Sequence, residues 1–137
     1  MKVFITASFK DEENQEEIEK LCALVRGSGF EDFCFIRDVE NYQKSFEDPV
    51  MLMRRAKEEI EQCEALLIDL SEDTTVGTIE AGIAYTLGKP IITIMKRGTP
   101  LTDTVKGVSA AIIEYNQIEE IVKPLKTLHT GWENPIG

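Results

Sequence analysis

EALLIDLSEDTTVGTIEAGIAYTLGKPIITIM, from Glu64 to Met95, decides the fold. Glu64 to Leu70 is a short aliphatic run, the composition of a strand buried on both faces. Ser71 to Thr75 is polar and short, a turn. Val76 to Leu87 is predicted helical and stops at Gly88, ahead of Lys89-Pro90; glycine after a last turn, followed by proline, ends helices. Ile91 to Met95 is a second strand. Strand, helix and strand in so short a span make a βαβ unit with parallel strands and a right-handed crossover.

The same alternation continues in both directions. Upstream, Asp48-Pro49 caps and opens a helix whose inner stripe is Met53, Ala56, Ile60 and Cys63. Phe33 to Ile36 is predicted as a strand, and Asp38 to Glu47 as a polar, irregular loop. Asp11 to Gly27 carries Ile18, Leu21, Cys22 and Val25 at helical spacing, with its many glutamates on the solvated face. Lys2 to Ser8 is the first strand. Downstream come a polar loop (Lys96 to Asp103), a short helical piece ending near Gly107, a strand from Ala110 to Glu114 and a helix from Ile118 to Leu128. Five apolar strands alternating with helices predict an α/β chain: one domain, residues 1–137, with a doubly wound, flavodoxin-like parallel sheet covered by helices on both faces. In such sheets ligands bind at the carboxyl ends of the strands. Here those loops are Ser8–Asp11, Arg37–Glu47, Ser71–Val76 and Lys96–Thr102.

Composition narrows the partners. The net charge is −10 over 137 residues, which argues against a nucleic acid polymer or an anionic membrane as partner, since both need a basic face. A small phosphorylated ligand remains compatible, because backbone amides and one or two local cations can hold it. Cys22, Cys34 and Cys63 are widely spaced among apolar neighbours, as expected for buried free thiols in a reducing compartment. No Cys/His cluster has metal-ligand spacing, so neither a metal nor a cofactor is expected. The apolar run in MKVFITASFK is too short for a signal peptide or a membrane span, and the expectation is a cytoplasmic protein.

The chemistry concentrates after the third strand. Thr74, Thr75 and the amides near Val76 and Gly77 stand at a helix start, where an anion binds. Glu80 is the only formal charge between Thr74 and Gly88, and it shares a helical face with Val76, Ile83, Ala84 and Leu87. A carboxylate among apolar side chains is costly unless it is used. One at this sheet edge can attack an anomeric carbon or stabilise an oxocarbenium-like centre. A dipole-complementing acid at a helix start is the simpler alternative, although such an acid normally faces water.

VFITASFK at the start, the strand ending in Asp69 and VGTIEAGIAYTLGKPII together resemble the nucleoside 2-deoxyribosyltransferase superfamily, which includes the 2′-deoxynucleoside 5′-phosphate N-hydrolases. The resemblance spans roughly residues 2–128. It implies a small-molecule substrate, a nucleoside or nucleotide, cleaved or transferred at its N-glycosidic bond. It makes Glu80 the nucleophile, puts Ser8 and Lys10 on sugar and phosphate, and puts Thr74 on phosphate. It also implies a homo-oligomer, a dimer or larger, in which Thr102 reaches a neighbouring subunit's site. Two positions depart from the family pattern. Phe4 stands where the family has a tyrosine that positions nucleophile and sugar, and Ala56 where it has an aspartate that handles a proton on the base. Asp38 and Asp69 are the candidate substitutes for that acid. If neither serves, the same pocket becomes a nucleotide-sensing module without turnover.

Overall fold

The structure is a computed structural model that describes residues 1–10, 12–71 and 75–133. Five strands, β1 (Lys2–Ile5), β2 (Glu31–Cys34), β3 (Ala65–Asp69), β4 (Ile91–Lys96) and β5 (Ala111–Tyr115), form one sheet in the order β2-β1-β3-β4-β5. Every pairing is parallel, with Phe4 opposite both Phe33 and Leu66, and Asp69 opposite Ile94. This is the doubly wound, flavodoxin-like sheet. Its strand order reverses between β1 and β3, and there the loops leaving the strand ends part to open a crevice.

Pleating sends alternate side chains to opposite faces, and each face has its own core. Val3, Ile5, Leu67 and Ile94 pack beneath α1 (Glu12–Gly27) and α6 (Val122–Glu133). Phe4, Leu66, Ile68 and Ile91 pack beneath α3 (Pro49–Gln62) and α4 (Thr75–Thr86). The predicted stripes do this packing: Ile18, Cys22 and Val25 from α1, and Ala56, Ile60 and Cys63 at α3 and its cap, are all buried. Asp48 caps α3 by accepting a hydrogen bond from the Val50 N–H at 2.9 Å. At the far end of α4, Gly88 takes φ +74°, the left-handed turn that stops the helix before β4. His129 and Trp132 pack edge-on against Phe30, a structural role for the carboxyl-terminal helix.

Two expectations shift. β2 begins and ends earlier than Phe33–Ile36, and Phe35–Asp38 instead forms a single helical turn, α2. Asp38 turns the chain there: its carboxylate accepts the Cys34 N–H at 3.0 Å, which closes the strand. As an edge strand, β2 tolerates Glu31 and Asp32, and Arg26 and Arg37 both bond Asp32 at 2.8 Å. The other edge strand, β5, alternates between buried Ile113 and Tyr115 and exposed Ile112 and Glu114, so it is not apolar throughout.

Candidate functional site

The β1–α1 loop divides the crevice into two clefts. One, of about 500 Å³, lies between that loop, the chain after β2, and helices α3 and α4; the other, of about 490 Å³, opens towards α1, β4 and β5. Ala7 and Ser8 line both.

Glu80 lies in the first cleft. It is 5% exposed, and among the described residues no donor bonds its carboxylate. Burial pushes this carboxyl up to about 8, with the neighbouring Cys34 and Glu40 groups adding to the effect. The helix that carries it explains the burial. The inner face of α4 is a run of small residues, Gly77, Ala81 and Ala84, with Glu80 among them. Gly77 lets the helix approach: an ideal Cβ there would stand 2.9 Å from Ile68 Cδ1 and 3.1 Å from Thr6 Oγ1. The larger apolar residues expected to share the Glu80 face are distributed otherwise. Ala84 is buried, whereas Val76 and Leu87 are exposed, together with Ile79 and Tyr85.

The other candidate residues scatter. Lys10, Asp69 and Gly77 line the second cleft, with Ser8 shared. Asp69 is anchored there: its carboxylate accepts the Tyr115 hydroxyl at 2.6 Å and the Ser71 N–H at 2.9 Å. Asp38 is held by Arg37 and by the Cys34 N–H. Neither aspartate lines the Glu80 cleft. Phe4 is 0% exposed and lines neither cleft; its ring packs against Phe33 with centroids 5.6 Å apart. The cause is the pleat, which turns its side chain under α3 and α4. Thr102 is exposed and caps α5 (Asp103–Val108) of its own chain, accepting from Val105 N at 3.3 Å. Thr74 lies outside the described residues.

No protein-family model matches the sequence, and a comparison with curated proteins gives no match either. Comparison with solved structures gives clear similarities. A 2-deoxyribosyltransferase from Bacillus psychrosaccharolyticus superposes with a TM-score of 0.70 at 19% identity, over 89% of this chain and 90% of that one. The CMP N-glycosidase BcmB of Clostridium botulinum gives 0.66 at 24% identity, over 93% and 99%. A conserved protein from Enterococcus faecalis V583 gives 0.77 at 13% identity, over 93% and 98%. The chain has the 2-deoxyribosyltransferase fold.

Within the deoxyribosyltransferase fold of this chain, the loop after β2 supplies residues that the sequence did not single out. Glu40, Tyr42, Gln43 and Lys44 line the Glu80 cleft, and Phe9 joins them from the β1–α1 loop, its ring 5.3 Å from that of Tyr42. Asn41 and Tyr42 adopt φ +50° and +59°, a left-handed conformation that non-glycine residues seldom take outside constrained sites. Tyr42 is tied down through its hydroxyl, which donates to Glu19 of α1. The loop's position at a strand's carboxyl end was a legible signal; the identity of its inward-facing residues was not.

Proposed function

We propose that the Glu80 cleft cleaves or transfers at the N-glycosidic bond of a (deoxy)nucleoside or its 5′-monophosphate, with Glu80 as nucleophile. The observation that carries this reading is Glu80 itself, a buried carboxylate with no hydrogen-bond donor among the described residues, lining a cleft at the strand-order switch. The kinship in fold with a 2-deoxyribosyltransferase and a CMP N-glycosidase supports the reaction class. Ionised Glu80 attacks the anomeric carbon, the bond to the base breaks, and a glycosyl ester forms. Water, or a second base, then releases the sugar. Ser8, which lines both clefts, and Lys10, which lines the second, hold sugar and phosphate in this reading, with Thr74 assigned to the same anion. The protein acts as a dimer or larger homo-oligomer, with Thr102 offered to the neighbouring subunit.

A second reading, a nucleotide-binding module without turnover, draws on Phe4 and Ala56, which bring no hydroxyl and no acid to the cleft. One experiment separates the two. A panel of nucleosides and 5′-monophosphates is incubated with wild type and with Glu80→Gln, and free base is read by chromatography. An enzyme releases base, and Glu80→Gln lowers the rate by several powers of ten while still binding ligand. A sensor releases none in either form. Release that survives Glu80→Gln overturns the nucleophile.

A further inference from the structure

A purine or pyrimidine leaves a sugar poorly as an anion, and a positioned acid that protonates it contributes about a hundredfold to ten-thousandfold. The α3 wall of the cleft offers only Leu52, Met53 and Ala56, and Asp38 and Asp69 are engaged elsewhere. Among the described lining residues one acid accompanies Glu80, and it is Glu40.

Glu40 is built in rather than draped on the surface. It is half-buried, and its carboxylate accepts a hydrogen bond from the Ser45 backbone. Its carbonyl accepts from Gln43 N at 3.0 Å and from Ser45 Oγ at 3.3 Å. The turn so closed contains the left-handed pair Asn41 and Tyr42. Such strain persists only where surrounding structure over-determines it, and it clusters at functional sites.

We propose that Glu40 is the general acid of this cleft, giving its proton to the departing base nitrogen as Glu80 attacks the anomeric carbon. The proposal rests on the glycosidase reading above. The electron pair of the C1′–N bond passes to the base nitrogen, which takes the Glu40 proton. Glu40, now ionised, next removes a proton from the water that displaces the Glu80 ester. The products are neutral base and free sugar, and both carboxyl groups return to their starting states.

Attack requires an ionised Glu80 and a protonated Glu40, so the reactive form of the pair carries a single proton. The titratable and charged groups that line the cleft with Glu40 are Tyr42 and Lys44 of its own loop and Glu80 of α4, beside which Cys34 lies at the end of β2; Glu19 of α1 is taken up by Tyr42, and α3 lines the cleft with Leu52, Met53 and Ala56 alone. Burial raises the Glu40 carboxyl, an effect partly offset by the Ser45 N–H. Loss of that proton as pH rises removes the acid.

The test uses the panel's best substrate and the 4-nitrophenyl glycoside of the same sugar, whose leaving group needs no proton. With Glu40→Gln, kcat for the nucleoside should fall about a hundredfold or more, and far less for the nitrophenyl glycoside. Wild type should show a bell-shaped profile, and Glu40→Gln should lose its alkaline limb, leaving a residual rate that climbs with pH and levels off. Glu40→Asp should recover part of the loss. Equal losses on both substrates, or an unchanged nucleoside rate, overturn the acid role while leaving the glycosidase reading standing. A wild type that releases no base from any panel member overturns both.

Discussion

Glu80 carries the function in this reading, and it weakens the fold. Its carboxyl is raised from the ordinary 4.5 to about 8, mainly by burial. Between those values the folded state keeps a proton that the unfolded chain has released, so stability falls as pH rises through that window. Glu80→Gln removes the titration and keeps the shape. It should gain about 1–3 kcal/mol over wild type at pH 8 and little at pH 5, measured by denaturant melts at both values. An equal difference at both pH values would mean that the carboxyl is not raised. Active sites commonly trade stability in this way. Glu80 was legible in the sequence because it is the lone charge in an otherwise uncharged helix. Glu40 was not, because it is one acid among several in a loop without periodicity, and its inward position depends on the left-handed turn at Asn41 and Tyr42. Phe4 was picked out by motif position, while strand pleating buries its ring.

At the scale of elements, the site depends on how closely α4 lies on β1 and β3. Gly77→Ala places a methyl against Ile68 and Thr6 at contacts too short to keep. Overpacking of this kind costs typically about 1–3 kcal/mol, and lifting α4 displaces Glu80. We expect a lower melting temperature together with slower base release; an unchanged melt would show that the helix has slack. The loop from β1 to α1 invites a second test. With Ser8 and Lys10 holding phosphate, a 5′-monophosphate should raise the melting temperature more than its nucleoside, because tighter binding to the folded state stabilises it further. Equal shifts would remove the phosphate role. Most elements were legible because buried parallel strands are apolar runs and α1 and α3 carry clean stripes. β2 was read two residues late because its start is acidic, neutralised by Arg26 and Arg37, and its end is fixed by a side chain, Asp38, bonding a backbone amide. Hydrophobic periodicity does not register such bonds.

At the scale of the molecule, α3 and α4 pack side by side and present Val50, Met51, Val76, Ile79 and Tyr85 to solvent. A subunit interface there would cover this exposed apolar surface. Because Val76 also lines the Glu80 cleft, a second copy seated there would border the site. Light scattering at micromolar concentration should give at least a dimer, and Ile79→Lys should give a monomer. A monomeric wild type would remove Thr102 from the site. Thr102 permits a sharper test, because in its own chain it only caps α5. Thr102→Ala should lower base release without changing the oligomer, and Glu80→Gln should abolish it. In a mixture of the two variants, a hybrid pair holds one site with Glu80 from one chain and Thr102 from the other, both intact. Random exchange makes half the pairs hybrids with one good site in two, so mixing should restore about a quarter of wild-type activity. If Thr102 served its own chain's site, every site in the hybrid would carry one defect and mixing would restore nothing. Recovery therefore requires a site shared between subunits, whereas failure to recover, in a mixture shown to exchange, confines each site to one chain.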